Sequence, residues 1–332
     1  MHNICQKNMN ILITSASRKV SLIKAFKKAL EKEGRGKVIA VDINPLSSAF
    51  CFSNLSYLVS KDSDSSFISK LLNLCQEQKV DLIVPTRDEE LRIFAKNKEK
   101  FKKVGTMIMV PDTKVIEICS DKLKFLEFCK KNNLSIPKIY TLEEMKRGIV
   151  KFPLFINDRF GKGSKKAFKV NNQVELELYL KLIKNPIVQE WINTKEYTID
   201  LFTDFEGNII SVVPRERIYT FGGESFIGIT FKSKNLIESA IDLAQKLRLI
   251  GHNTIQCFFD GKIVKFIEVN PRYGGGANLS FAAGANTPLY LIQLIKGKKI
   301  KSRIGKFRDG LIMLRYTDDI FIKEKKIKCK KI

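Results

Sequence analysis

The chain has little of the residue types on which many catalytic and metal sites depend. It contains only two histidines, His2 and His252, and none of its seven cysteines forms a Cys-x-x-Cys pair. A zinc site or a histidine-based catalytic triad therefore has almost no residues from which it could be built. Unpaired cysteines are typical of a reducing compartment, and we expect the protein to be cytoplasmic.

Long apolar segments and a glycine-rich nucleotide fingerprint are also missing. No apolar run approaches the ~18 residues that a membrane-spanning helix needs, and the leading MHNICQKNMN lacks the apolar centre of a signal peptide. The first strand-to-helix turn, residues 15–18, has none of the glycines of a dinucleotide-binding turn. We expect neither a membrane partner nor a standard dinucleotide site.

The excess of basic residues is large, and it has two possible meanings. The formal net charge is +24, which would suit a nucleic acid or an anionic membrane. However, the lysines are spread over nearly every helix-like segment, and no nucleic-acid-binding motif accompanies them. We therefore favour small anionic ligands over nucleic acid. The one dense basic run, KEKKIKCKKI, predicts a solvated tail.

The order of apolar segments predicts the fold class. Residues 9–112 alternate strand-like and helix-like segments, which indicates right-handed βαβ units and a parallel, Rossmann-like sheet. Beyond residue 113 the pattern changes to antiparallel α+β. With 332 residues, two or three domains are expected. We predict boundaries at 1–112, 113–190 with a hairpin at 152–170, 191–320, and a basic tail at 321–332.

The most informative stretch is HNTIQCFFDGKIVKFIEVNPRYGGG, residues 252–276. Alternation along its second strand places Glu268 and Asn270 on one face, and Arg272 and three glycines follow. A carboxylate, an amide oxygen, a guanidinium and a flexible glycine run suit a Mg²⁺–polyphosphate site. The simpler alternative is an edge hairpin with solvated side chains. A three-residue loop, 259–261, would pair Gln256 with Val264 and bring Gln256 onto the face of Glu268.

Two other segments have the character of ligand-binding loops. FPLFINDRFGKGSKKAFKV predicts a hairpin whose basic, glycine-containing tip could close over phosphates. Thr86 and the acidic residues after it follow a predicted strand at its carboxyl end, where open α/β sheets bind ligands. Thr86 and Glu89 also match a capping box, and the two interpretations are compatible.

Taken in order, these motifs resemble the ATP-grasp superfamily, most closely its carbamoyl-phosphate-synthase-like single-module members. The resemblance rests on Asp121-Lys122, the glycine-containing hairpin, VQEWINTKEYTID and IQCFFDGKIVKFIEVNPR, and it covers about residues 9–316. It implies a Rossmann-like pre-ATP-grasp domain followed by a two-subdomain ATP-grasp fold with antiparallel sheets. It also implies ATP with Mg²⁺ or Mn²⁺ as cofactors, small carboxylate and amine substrates, and a possible homodimer.

The resemblance also implies roles for individual residues. Lys122 would contact the ATP phosphates, and the lid would contain Gly161, Gly163 and Ser164. The hinge strand against adenine would comprise Gln189, Glu190, Trp191 and Ile192, and Glu196 would bind the ribose. Glu268 and Asn270 would hold the metal, with Gln256 adjoining. Arg272 would face the transferring phosphoryl group, and Arg215 would line the substrate side.

One position departs from the family pattern. Asn157, Asp158 and Arg159 stand where the family has a basic residue, a proline and an arginine. We expect Asn157 and Arg159 to lie at the nucleotide, but with one phosphate-binding cation fewer, which would cost about 1.5–3 kcal/mol. Two hypotheses follow. The first is an ADP-forming ligase that joins a carboxylate to an amine or a thiol through an acyl phosphate. The second is a nucleotide-binding, non-catalytic homologue.

Overall fold

A parallel sheet forms the first part of the molecule. The structure, a computed structural model, describes residues 8–161, 163, 166–323 and 329–332. The sheet has six strands in the order β16-β3-β2-β1-β4-β5, and every neighbouring pair is parallel. The strands are β1 (Met9–Ile13), β2 (Gly36–Asp42), β3 (Leu55–Leu58), β4 (Val80–Val84), β5 (Met107–Ile108) and β16 (Lys330–Lys331).

Helices cover both faces of this sheet, which explains why its central strands are almost continuously apolar. Ile11 and Ile13 face one core, whereas Leu12 faces another. The connecting helices are α1 (Val20–Glu33), α2 (Phe67–Glu77) and α3 (Asp88–Lys103). The predicted Thr86–Glu89 capping box is wrong by one residue, because Glu90 is the side chain that accepts hydrogen bonds from the Thr86 and Arg87 amides.

The end of the basic tail is paired with the sheet and is not a free solvated end. Lys330 and Lys331 align with Tyr57 and Leu58 of β3, and the Ile332 amide donates to the Leu58 carbonyl at 3.2 Å. The lysine side chains point to solvent while the backbone continues the ladder. The tail therefore adds an edge strand to the domain formed by the start of the chain.

A four-stranded antiparallel sheet follows, in the order β6-β9-β7-β8. Two helices lead into it, and two more border it, so that a small separate core forms around Leu154 and Ile156. The elements are α4 (Thr113–Cys119), α5 (Lys122–Lys131), β6 (Ile139–Tyr140), α6 (Leu142–Lys146), β7 (Leu154–Asp158), β8 (Ala167–Val170), α7 (Gln173–Leu182) and β9 (Pro186–Glu190).

The third sheet has six antiparallel strands in the order β14-β13-β10-β11-β12-β15. Its apolar face packs on α8, and its other face carries polar side chains, among them Thr198, Gln256 and Glu268. The elements are β10 (Lys195–Thr203), β11 (Ile209–Phe221), β12 (Glu224–Thr230), α8 (Lys234–Leu247), β13 (His252–Phe259), β14 (Val264–Asn270), α9 (Ala277–Ala282), α10 (Thr287–Ile295) and β15 (Ile312–Leu314).

One core joins the parallel sheet to the last part of the chain. Phe26 of α1 meets Tyr273 edge-on, with 5.8 Å between ring centroids, and Leu291 and Ile292 of α10 belong to the same buried cluster. The predicted fold class, a parallel α/β sheet followed by antiparallel α+β subdomains, is confirmed. No helix among the described residues is both long and apolar enough to cross a membrane.

Candidate functional site

A cleft of about 880 Å³ lies where the three sheets meet. It brings together nearly all of the residues that the sequence indicated for the site. Those that line it are Lys122, Asn157, Gly161, Gly163, Gln189, Glu190, Trp191, Ile192, Glu196, Arg215, Gln256, Glu268, Asn270 and Arg272. Arg159 is not among the lining residues, and Ser164 lies outside the described residues.

Glu268 stands at the centre of a small oxygen-rich group. The Gln256 and Asn270 side-chain amides each donate to Glu268 Oε1 at 2.9 Å. The predicted three-residue turn is wrong, because Phe259 pairs with Val264 and leaves residues 260–263 as the turn. A bulge at Ile267 then sets Gln256 directly opposite Glu268, so the two side chains share a face as expected.

Arg272 is held from the parallel-sheet domain. Its Nε and one terminal nitrogen donate to the two oxygens of Asp88 at 2.8 and 2.6 Å, and Asp88 is the first residue of α3. The other terminal nitrogen donates to the Tyr273 carbonyl at 3.3 Å. Arg272 was predicted to face a phosphoryl group, and its planar donor edge is instead occupied by a carboxylate.

Arg215 is a buried structural residue at the floor of the cleft. Its Nε donates to Asp200 at 2.7 Å and a terminal nitrogen donates to the other Asp200 oxygen at 3.2 Å. Although burial raises the pKa of Asp200, the charge and hydrogen bonds of Arg215 and the His252 ring, whose Nε2 lies 3.6 Å away, lower it overall. The pKa of His252 is lowered, mainly by burial. The remaining terminal nitrogen of Arg215 is buried and donates to no acceptor among the described residues.

Two carboxylates that line the cleft, Glu190 and Glu196, already have basic partners in the protein. Glu190 Oε1 accepts from Lys265 Nζ at 2.6 Å and from the Lys138 amide at 2.9 Å. Burial raises the pKa of Glu190, but these two donors lower it overall. Glu196 lies 3.3 Å from Arg217 Nε. Its pKa is raised, because burial and nearby Glu268 outweigh the effect of Arg217.

The basic residues near the lid also have partners in the protein. Arg159 binds Asp121 through two nitrogens at 2.7 and 2.6 Å, and its contact with the nucleotide stays a prediction. Lys122 Nζ donates to the Asp158 and Gly161 carbonyls. Asn157 is nine-tenths buried, and its Oδ1 has no hydrogen-bond partner among the described residues. The side chain that departs from the family pattern therefore lines the cleft with an unused acceptor.

The lid touches the turn between β11 and β12. A Cβ on Gly223 would lie 2.9 Å from Gly163 Cα, closer than real Cβ contacts come. Gly223 has a positive φ of 79°, and Gly163 has one of 60°. Two glycine backbones therefore meet where the lid crosses the mouth of the cleft.

Sequence reasoning missed two side chains of the cleft, Lys19 and Glu224. Asp88 belongs to the loop after β4 that the sequence did indicate as a ligand-binding loop, although its pairing with Arg272 was not foreseen. Lys19 and Glu224, which form a 3.7 Å ion pair, had no sequence signal, because their segments are brought together only by the fold.

Comparison with known proteins gave matches to two family models. Residues 11–109 match the model described as PylC-like, N-terminal domain, and residues 183–318 match ATP-grasp in the biosynthetic pathway with Ter operon. The carbamoyl phosphate synthase large chain of Clostridium acetobutylicum is 22% identical over 290 residues, which is 81% of this chain but 27% of that protein. D-alanine–D-alanine ligase of Petrotoga mobilis is 25% identical over 144 residues, 41% of this chain and 48% of that enzyme.

Solved structures share the fold at low sequence identity. The biotin carboxylase domain of 2-oxoglutarate carboxylase from Hydrogenobacter thermophilus has a TM-score of 0.71 and 16% identity, over 92% of this chain and 74% of that chain. N5-carboxyaminoimidazole ribonucleotide synthetase from Thermotoga maritima has a TM-score of 0.64 and 22% identity, over 89% of this chain and 77% of that chain. These matches show the fold, and the two family models with the carbamoyl phosphate synthase relatives place the chain in the ATP-grasp superfamily.

Proposed function

We propose that the protein is an ATP-dependent, ADP-forming ligase that joins a small carboxylate to an amine or a thiol through an acyl phosphate. The observation that carries this proposal is the group of Glu268, Gln256 and Asn270 on one face of β13 and β14, inside a cleft that a glycine-containing lid crosses. The named relatives, among them D-alanine–D-alanine ligase, support the reaction class. The chain spans only about a quarter of the synthase relatives, so the substrates are our proposal.

The donor set fits magnesium better than a softer metal. Among the described residues, no three His, Cys, Asp or Glu side chains form a group that could hold a metal ion. Mg²⁺ commonly uses one or two protein carboxylates and completes its shell with phosphate oxygens and water. Glu268 would supply the carboxylate, and Asn270 and Gln256 would supply amide oxygens after rotation of their end groups. Bound Mg·ATP would supply the phosphoryl group that activates the acid.

The other cleft residues would bind and enclose the nucleotide. Backbone groups of residues 189–192 would face adenine, since the Glu190 carboxylate is already engaged by Lys265. Glu196 would accept from the ribose hydroxyls. Lys122 and the Gly161 and Gly163 backbones would lie over the phosphates, and contact between Gly163 and Gly223 would exclude water that would hydrolyse an acyl phosphate.

Arg159 and Arg215 act in this proposal through the carboxylates that they bind, not through the nucleotide. Each forms a two-nitrogen contact with an aspartate, Asp121 and Asp200 respectively. Removing either arginine would leave a carboxylate without its main partner. We also propose a cytoplasmic location, because the six described cysteines are free thiols, and a homodimer remains a prediction.

The test needs no knowledge of the natural amine. The protein is incubated with Mg·ATP, pools of small carboxylic acids and hydroxylamine, which traps an acyl phosphate as a hydroxamate and releases phosphate. We expect hydroxamate and ADP in equal amounts with at least one acid. Glu268→Ala should abolish both products, while Glu206→Ala, on an exposed turn, should leave them unchanged.

The non-catalytic alternative is favoured by one specific observation: Asn157 Oδ1, where a cation would help to bind phosphate, is an acceptor with no hydrogen-bond partner in the described part of the chain. Calorimetry with Mg·ADP separates the two functions. Binding without hydroxamate from any acid would support the non-catalytic homologue, and Asn157→Lys would then be expected to tighten nucleotide binding about tenfold or more. Absence of nucleotide binding in the wild type and in Asn157→Lys would contradict both functions.

A further inference from the structure

The parallel sheet has a crevice at the point where its strand order reverses. The chain passes from β1 outward to β2 on one side, and β4 lies against β1 on the other side. In open α/β sheets, ligands bind outside the carboxyl ends of the strands at such a point. Here the crevice is formed by the loops after β1 and β4, and Ser15, Ser17, Lys19 and Thr86 from these loops line the cleft.

The two loops are held in one defined shape. Ser15 and Ser17 have positive φ values of 48° and 40°, a backbone region that is costly for residues other than glycine. The buried Glu90 carboxylate fixes the loops from below. It accepts from Thr14 Oγ1 and Ser15 Oγ at 2.8 Å and from the Thr86 amide at 2.9 Å. Strain maintained in this way is found most often at binding sites.

At this end of the cleft, three cations share two carboxylates. Arg272 binds Asp88, and Arg315 binds Glu224 at 2.6 Å. Lys19 Nζ lies 3.7 Å from Glu224 and shares this carboxylate with Arg315. Three cations and two carboxylates therefore meet here, and one positive charge remains. Burial lowers the pKa of Lys19 most, Glu224 opposes this, and Arg272 and Arg315 lower it further.

We propose that Lys19 binds the carboxylate group of a small monoanionic acid in this crevice. The inference rests on the proposed function, in which such an acid is the group that is phosphorylated. Arg272 lies two residues after Asn270, the last residue of β14. Its charge is near enough to Lys19 to lower the pKa of that lysine. An acid held at Lys19 is therefore next to the segment that carries Glu268 and Asn270.

The glycines beside the crevice fit the same assignment. A Cβ at Gly275 would lie 2.4 Å from Glu224 Oε2, and one at Gly276 would lie 2.5 Å from an Arg215 terminal nitrogen. A side chain at Gly275 would displace the Glu224 carboxylate that Lys19 contacts, and one at Gly276 would displace Arg215. The glycine run thus lets the backbone approach the charged end of the cleft closely.

The first experiment observes Lys19 directly and does not depend on turnover. The full-length protein is labelled by reductive methylation with ¹³C-formaldehyde, and the Lys19 signal is assigned by its absence in Lys19→Arg. Sodium acetate is added at constant ionic strength, and acetamide serves as the neutral isostere. We expect the Lys19 signal to shift saturably with acetate and not with acetamide, while the signal of exposed Lys28 on the same helix stays unchanged. A Lys19 signal that ignores acetate would overturn the proposal.

The second experiment measures the consequence for the reaction. With an acid that gives hydroxamate, Lys19→Met should raise the KM for that acid about tenfold or more and leave the KM for ATP unchanged, since one charge-assisted contact is lost. Lys28→Met is the matched control. An unchanged KM for the acid in Lys19→Met would overturn the assignment. An acetate response in a protein that binds no Mg·ADP would support the carboxylate site and overturn the proposed ligase.

Discussion

Asp200 and Arg215 form an ion pair almost completely removed from solvent, with side-chain exposures of 1% and 2%. Asp200 also accepts from Ser280 Oγ at 2.5 Å, so removal of its charge affects a network. We expect Asp200→Asn to lower the free energy of unfolding by about 3–5 kcal/mol, because it leaves a buried guanidinium uncompensated. Denaturant unfolding measures this. Asp242→Asn, which breaks an exposed pair with Lys246, should cost less than about 1 kcal/mol.

The Asp200–Arg215 pair also predicts how the free energy of unfolding depends on pH. The folded-state pKa of Asp200 is lowered, so its contribution to stability is complete above the unfolded-state pKa of about 3.9 and is lost as the pH falls through the folded-state value. The stability difference between wild type and Asp200→Asn should therefore narrow below about pH 4. A difference that stays constant between neutral and acidic pH would contradict this explanation.

The contact between Asp88 and Arg272 gives a further prediction for a single residue. Asp88→Asn keeps the shape of the side chain but removes the charge that holds both Arg272 nitrogens. We expect a loss of about 1–3 kcal/mol in the free energy of unfolding. Asp62→Asn is a suitable control, because its partner Arg87 is 44% exposed and the loss should be below about 1 kcal/mol. Equal losses in the two variants would contradict a special role for Asp88.

For individual residues, the sequence indicated which side chains lie in the cleft better than it indicated which side chains of the protein they bind. Glu268 and Asn270 were found from strand alternation, which is a local property. The pairing of Arg272 with Asp88 joins residues 184 positions apart, and no local pattern contains that information. The same holds for Arg159 and Arg215, whose aspartate partners Asp121 and Asp200 lie 38 and 15 positions away in the chain.

Among the structural elements, the lid and the β11–β12 turn make a contact that can be tested by adding one methyl group. Gly223→Ala would place Cβ against Gly163, whereas Gly207→Ala would meet nothing within 4 Å. Both glycines have positive φ values, 79° and 89°, so both variants should lose about 1 kcal/mol of stability. Only Gly223→Ala should weaken Mg·ADP binding, as measured by calorimetry. Equal affinities in the two variants would show that the contact does not enclose the nucleotide.

The terminal strand β16 predicts a local effect of truncation. Deletion of residues 329–332 removes the backbone partners of Tyr57 and Leu58 and exposes the edge of β3. Hydrogen exchange at the β3 amides should become faster, while amides of the central strand β1 keep their protection. Unchanged exchange at β3 would mean that the tail does not cover this edge in solution.

The elements that sequence reasoning missed are short or lack apolar character. The strand β3 has only four residues, LSYL, and β16 consists of two lysines, so neither offers an apolar run long enough to be recognised. The turn at residues 260–263 was misjudged for a different reason. Asp260 Oδ1 accepts from the Lys262 and Ile263 amides at 2.8 Å, which stabilises a longer turn than Asp-Gly usually forms.

For the molecule as a whole, the shared core implies that its domains unfold together. Phe26 is fully buried and contacts Tyr273 across the boundary between the parallel sheet and the last part of the chain. The single tryptophan, Trp191, lies next to Phe155 of the four-stranded sheet and reports on a different region. Cooperative unfolding would give one midpoint by Trp191 fluorescence and by far-UV circular dichroism.

The variant Phe26→Ala tests whether the parallel sheet and the rest of the molecule unfold together. Loss of a buried phenyl ring should cost about 3–5 kcal/mol, and in a cooperative molecule this loss would appear in both signals. We therefore expect the denaturant midpoint measured by Trp191 fluorescence to fall as far as the midpoint measured by circular dichroism, although Trp191 lies beside Phe155 and outside the core that contains Phe26. If the Trp191 midpoint stayed at the wild-type value while the circular dichroism transition split in two, the parallel-sheet domain would be an independent folding unit. The crevice at Lys19 and the group around Glu268 would then lie on parts that can move separately.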